Sequence, residues 1–109
     1  MRMKKIITAA GLLGCGLVGS LVANAQESKE ALYTKSLAAT CANCHGTNGK
    51  VASGSPVAGL AGLPADYIVS QMKAFKSGAR PATVMHQLAK GFSDAQIDQM
   101  AAYFAAQKK

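Results

Sequence analysis

Cys41-Ala42-Asn43-Cys44-His45 gathers two thiols and an imidazole within five positions. Two intervening residues bring both sulfurs to one side of a helical turn, and the histidine projects from the same turn. At this spacing the two cysteines can be alkylated by the vinyl groups of one haem while the adjacent histidine binds its iron. The chemistry implied is one-electron exchange at a covalently held metal centre. A closed zinc site would need four ligands, and beyond this stretch the chain offers only Cys15 and His86. A dithiol redox pair of the thioredoxin kind calls for a βαβ context. The flanks here, rich in Ala, Leu, Gln and Lys, show no strand-like alternation.

The second axial position decides what such an iron does. With one protein ligand it is five-coordinate and reactive, and with two it becomes an electron-transfer centre. The candidates are Met72, Met85, His86 and Met100. Met72 shares helical core spacing with Ile68 and Phe75, and Met100 shares it with Ile97 and Phe104, so both read as packing residues. Met85 follows the Arg80-Pro81 strap and precedes the last helix, the order in which a small helical chain can wrap a ring and return to its opposite face. His86 is its direct rival and would give a bis-histidine iron of lower potential, since adjacent residues cannot both point at the metal. An open sixth position is the third alternative.

The elements that must position these residues are helical, with one long loop. Ser28 to Ala39 places Ala31, Leu32, Ser36 and Ala39 near helical spacing and runs into the Cys-Cys-His motif. From Gly46 to Leu63 five glycines, with Ser53, Ser55 and Pro56, predict a loop that closes over a cofactor edge. Pro64-Ala65-Asp66 opens a second helix, Tyr67, Ile68, Met72 and Phe75 supply its apolar positions, and Ser77-Gly78 ends it. A short helical stretch from about Ala82 to Lys90 stops at Gly91. Ser93-Asp94-Ala95-Gln96 then starts a last helix as a capping box, continuing to about Gln107. Its stripe is Ile97, Met100, Ala101 and Phe104, while Ala102, Ala105 and Ala106 would allow a close helix crossing. No second Cys-x-x-Cys-His occurs.

The first 25 residues read as a secretory signal: Arg2, Lys4 and Lys5, an apolar stretch from Ile6 to Val22, and a small-residue ending at Ala23-Asn24-Ala25. Leu12-Leu13-Gly14-Cys15 also resembles a lipobox, which would make Cys15 a lipidated first residue. An uncleaved anchor is disfavoured because Gly11, Gly14, Gly16 and Gly19 interrupt a barely sufficient span. Cleavage after Ala25 leaves one domain, residues 26–109, in the periplasm with no stable membrane insertion. Its only thiols are Cys41 and Cys44, so haem takes both and no disulfide remains. At this size a lone apolar core is barely sufficient, and covalent haem can act as the staple, which predicts a largely unfolded apo chain. The whole chain has 12 basic and 5 acidic residues. Lys73, Lys76, Arg80 and Lys90 flank the segment of the distal ligand and could steer an acidic partner. An apolar patch at Val51, Val57, Leu60 and Leu63 would instead serve a tight subunit. Denser basic runs and aromatic platforms, which nucleic-acid binding would want, are missing.

The haem motif with Gly46, then Leu60-Ala61-Gly62, the run from Phe75 to Met85, Ala89 to Asp94, and Ala101-Ala102-Tyr103-Phe104 resemble a class I cytochrome c. Within that class the chain is most similar to the cytochrome subunits of flavocytochrome c sulfide dehydrogenases. The likeness spans nearly the whole of residues 26–109, with the subfamily signal in Arg80 to Asp94. It implies an all-α fold of about four helices around one covalent haem c, His45 as proximal and Met85 as distal ligand, and a flavoprotein as electron donor. It implies no catalytic residue set. Some members of that group carry two haem domains, against one here. In the group a proline carbonyl orients the proximal histidine, and Pro56 is the candidate here, although Ala58 stands where the usual Pro-x-Leu-Ala-Gly places its proline. Two other roles are a free diffusible carrier to a terminal oxidase or reductase, and a small haem peroxidase or gas sensor with an open iron position.

Overall fold

Local capping signals decide where the helices begin. In the computed structural model, which describes residues 27–109, Ser28 is extended and its hydroxyl accepts from the Ala31 N–H at 3.1 Å, opening helix α1 over Lys29–His45. The secretory signal expected over residues 1–25, with Cys15 in it, lies outside the described residues. Helix α2 runs Ala65–Ser77 from Pro64 to a left-handed Gly78, α3 is the single turn Met85–Leu88, and α4 runs Asp94–Ala105. The last start is a complete capping box: Ser93 Oγ accepts from the Gln96 N–H at 3.2 Å, and Gln96 Oε1 accepts from the Ser93 N–H at 2.9 Å. No strand occurs among the described residues, so the all-helical expectation holds.

Both α1 and α2 pack against α4, and α3 packs against α2. The core is Ala38 from α1, Ile68 from α2, and Ile97, Met100, Ala101 and Phe104 from α4. Phe104 and Ile97 have the largest completely buried side chains, each contributing roughly 1.5–3 kcal/mol by leaving water. The expected α4 stripe is therefore the core-facing one. The expected role of Ala102, Ala105 and Ala106 is not: Ala102 and Ala106 are exposed, and the small residues where α1 meets α4 are Ala38 and Ala101. The face expected on α1 is likewise corrected. Leu32, Ser36 and Ala39 are exposed, and the covered side is Ala31, Thr34, Leu37, Ala38, Cys41 and His45.

The long loop after α1 folds back through one tight helical turn, Thr47–Gly49. The carbonyl of Gly49 accepts from the N–H of Leu60 at 2.8 Å and of Ala61 at 3.1 Å. Gly49 has φ +78, and a Cβ there would lie 2.9 Å from the Phe104 ring, so only glycine permits this approach. Two further bonds tie the loop to α4: Tyr103 Oη donates to Asn48 Oδ1 at 2.7 Å, and the Gly62 N–H donates to the Phe104 carbonyl at 2.9 Å. Gln96 Nε2 donates to Tyr33 Oη at 2.7 Å, joining the start of α4 to α1.

The third helix is shorter than expected. Residues 82–84 are not helical; the Val84 carbonyl accepts the Gln87 and Leu88 N–H groups, so the turn begins at Met85 and tightens over Ala89–Gly91. Pro81 has no N–H to give, and the β-branched pair Thr83-Val84 loses side-chain freedom in a helix. The last helix ends at Ala105, two residues before Gln107. Among the described residues no helix is long and apolar enough to cross a membrane.

Candidate functional site

Cys41, Cys44 and His45 occupy the last turns of α1, brought onto adjoining positions by the helical repeat. Gly46 ends that helix with φ +78, and a Cβ on it would meet the Lys50 carbonyl oxygen at 1.9 Å, so the exit after His45 requires glycine. Both thiols are free, Cys41 half-buried against the core and Cys44 exposed. Burial pushes the Cys41 thiol up, and the nearby Thr40 hydroxyl opposes this only in part. Redox-active dithiols need the reverse, a lowered thiol at a helix N-terminus. These cysteines sit at the C-terminal, negative end of their helix.

His45 is oriented by the returning loop. Its Nδ1 lies 2.7 Å from the Ala58 carbonyl oxygen. A carbonyl can only accept, so Nδ1 carries the proton and Nε2 of the neutral ring keeps its lone pair. The orienting group is thus the backbone of Ala58, and the Pro56 expectation is corrected: the bond uses a main-chain oxygen, which alanine supplies as well as proline does. Such a bond fixes a metal-binding imidazole's tautomer and raises its donor strength.

Met85 is the first residue of α3 and is half-buried. Met100 is in the core and Met72 packs against it from α2, as their spacing predicts. Val84 and Leu88 flank Met85 and are 53% and 52% exposed, a large fraction for apolar side chains. His86 Nδ1 is buried and has no hydrogen-bond partner among the described residues. An orphaned buried polar atom costs about 1–3 kcal/mol.

These features fit a haem attached at Cys41 and Cys44. Two unpaired thiols and an imidazole with a fixed, available Nε2 form the donor set, apolar side chains beside Met85 lack cover, and a buried ring nitrogen one residue on lacks a partner. Among the described residues no three His, Cys, Asp or Glu side chains gather so as to hold a metal ion by themselves.

The basic residues expected to steer a partner divide in two. Lys73 and Lys90 are exposed. Lys76 donates to the Phe92 carbonyl at 2.7 Å and pairs with Asp94 at 3.1 Å. Arg80 donates to Gln71 Oε1, and its guanidinium lies 4.7 Å from the centre of the Phe75 ring. Two of the four charges are thus committed within the molecule, roles that nothing in their local sequence announced. The expected apolar patch also changes: Leu60 and Leu63 pack against the core, while among the described residues Leu32, Tyr33, Tyr67, Val84 and Leu88 are the large apolar side chains left exposed.

A helical chain closing a Cys-x-x-Cys-His turn against a returning loop defines a class, and the chain belongs to the class I c-type cytochromes, haem-bearing electron-transfer proteins. The family described as "Cytochrome C oxidase, cbb3-type, subunit III" matches residues 24–104. The chain is 37% identical, over 97% of its length and 48% of the relative's, to a "Thiosulfate dehydrogenase electron acceptor" of Thiomonas intermedia. It is 40% identical, over 62% of its length and 60% of the relative's, to the "Cytochrome subunit of sulfide dehydrogenase" of Chlorobaculum tepidum. Among solved structures it is similar to cytochrome c4 of Acidithiobacillus ferrooxidans, with a TM-score of 0.64 and 31% identity over 75% of this chain and 52% of that one. The chain spans about half to three fifths of the length of these relatives.

Proposed function

We propose that this chain is a mono-haem electron carrier of the bacterial periplasm. Cys41 and Cys44 would hold haem c through two thioethers, with His45 and Met85 as the proximal and distal iron ligands. Bound there, the haem supplies a one-electron ferric/ferrous couple, and the rest of the task falls to the protein. His45, held by Ala58, presents a strong nitrogen donor in one orientation. The Met85 thioether favours ferrous iron and so a higher potential than a second imidazole would give. The single observation that carries the reading is the 2.7 Å bond from His45 Nδ1 to the Ala58 carbonyl, which leaves Nε2 available beside two free thiols.

The electron donor we propose is a flavoprotein sulfide dehydrogenase, this chain being its haem subunit. The resemblance in Arg80 to Asp94 and the relative named as a sulfide dehydrogenase cytochrome subunit support that choice. A second reading, a freely diffusing acceptor, is favoured by the relative named as the electron acceptor of a thiosulfate dehydrogenase. Export after cleavage near Ala25 would bring the chain to the periplasm. Acid-acetone extraction tests attachment: the protein is expected to stay red, because thioethers survive conditions that strip a merely ligated haem, and colour passing to the organic phase would overturn the reading. Affinity purification at native expression separates the two donors, since only a subunit brings a flavoprotein with it in fixed ratio.

A further inference from the structure

Residues 77–93 carry Met85 between the end of α2 and the start of α4, and most of this segment is exposed. Its internal hydrogen bonds are few and local, chiefly the Val84 carbonyl with the N–H groups of Gln87 and Leu88, and the Ala89 carbonyl with that of Phe92. Both ends, however, are fastened to α2 by a basic side chain. At the first end the Arg80 N–H donates to the Ala74 carbonyl at 3.1 Å, its guanidinium reaches Gln71 Oε1, and the same group covers the Phe75 ring. At the second end Lys76 Nζ reaches across to the Phe92 carbonyl at 2.7 Å and to Asp94 Oδ1 at 3.1 Å. The Lys76 side chain is 32% exposed and that of Asp94 65%, so the bond to the Phe92 carbonyl is the sheltered one and the ion pair faces solvent.

We infer that Lys76 is a positioning residue for Met85: it closes the segment that presents the distal ligand. The inference rests on the proposed Met85 ligation and deepens it. A lysine in this place differs from a steering charge, because its donors are spent on a carbonyl and a carboxylate of its own chain. An ammonium with three donors can hold both acceptors at once, and charge-assisted bonds are about twice as strong as neutral ones. Releasing them loosens the C-terminal end of the segment, 16 positions from Lys76, and leaves only the packing of Ala89 and Phe92 to hold it. The released segment gains conformational freedom, and Met85 spends more time away from the iron.

The test uses the mature holoprotein and exogenous imidazole, which occupies the distal position only when the native ligand has left. Apparent imidazole affinity therefore reports the open fraction, whereas a merely structural role would move only global unfolding. Lys76→Met is expected to raise that affinity about tenfold, the order expected for losing a charge-assisted bond. Lys76→Arg should restore it, and Lys73→Met, an exposed lysine on the same helix, should leave it unchanged. Should Lys76→Met not mature, Lys76→Gln carries the same expectation. Unchanged imidazole affinity in the Lys76 variants, with the methionine-to-iron charge-transfer band lost in Met85→Leu, overturns this inference alone. A band that persists in Met85→Leu overturns the ligand assignment and the inference together.

Discussion

The regions that carry His45 and Met85, the two iron ligands we propose, are built by different means. His45 ends a helix of 17 residues whose flank is part of the core, and the loop that orients it is pinned to α4 through Asn48, Gly49 and Gly62. Met85 opens a helix of four residues with no buried side chain of its own, followed by the fully buried Ala89 and by Phe92 against the core, in a segment clamped at its two ends by Arg80 and Lys76. The proximal side is held by packing, which is non-directional and collective. The distal side has less of that packing, chiefly Ala89 and Phe92, and depends more on a few directional polar contacts that single substitutions can remove. If the proposed ligation holds, the strength of the distal bond is the adjustable quantity and the proximal bond is the fixed one.

The largest expected effect is on the proximal side. Cys41→Ser combined with Cys44→Ser removes both sites of attachment, and purified protein is expected to carry no covalent haem and to show little helical circular dichroism. Native-like helicity in that variant would mean that the core of Ala38, Ile68, Ile97, Met100, Ala101 and Phe104 suffices without a staple.

Packing and exposure give the next contrast. Phe104→Ala leaves a cavity in the most buried part of α4 and should cost about 3–5 kcal/mol of unfolding free energy. Gln87→Ala, an exposed polar position on the distal turn, should stay within about 0.5 kcal/mol. Chemical denaturation of the two holoproteins measures both, and equal losses would erase the distinction between a packed and a clamped region.

How much of this was legible in the sequence follows from the same contrast. Helix starts were readable where the cap is local, at Ser28 and at Ser93 with Gln96, and the end of α2 was readable in Gly78. The covered face of α1 was misread from a weak pattern of small residues. Counting back from His45 in steps of three and four, through Cys41, Ala38 or Leu37, Thr34 and Ala31, would have found it. The Ala58 position was readable from the resemblance, but following the residue type instead of the position pointed to Pro56, and the Lys76 clamp was not readable at all. A main-chain oxygen has no side-chain signature, so position in the motif and not residue type identifies it, while the partner of Lys76 lies 16 positions along the chain, beyond any local rule. The four-helix architecture was legible because the haem motif led to a resemblance, whereas the start of α3 at Met85 depended on how Pro81, Thr83 and Val84 spend their backbone groups.

The distal ligand provides a smaller but sharper test. Met85→His should keep a six-coordinate iron and lower the reduction potential strongly, within the ~0.8 V that axial ligands span across haem proteins, while Met72→Leu should change it little. Potentiometry on the three proteins decides the matter. A large shift from Met72→Leu would move the ligand from the clamped segment to α2 and reverse the comparison.

The smallest effect concerns the two uncommitted charges. Reversal of Lys73 and Lys90 to Glu should slow electron uptake from an acidic flavoprotein a few-fold at low salt, with the difference fading as the screening length falls from about 10 Å at 0.1 M to about 3 Å at 1 M. Lys76→Glu should act differently, disturbing the distal ligand at every salt concentration. Identical salt profiles for all three would return Lys76 to the solvated surface.

The central claim, that the Cys41 to His45 turn carries the redox group, is tested most directly by mass spectrometry of the native protein after trypsin. Cleavage at Lys35 and Lys50 isolates residues 36–50, which contain both thiols and His45. The account predicts that this peptide is heavier by one haem and has no thiol open to alkylation. Recovery of the same peptide at its unmodified mass, with both cysteines alkylated, would contradict it.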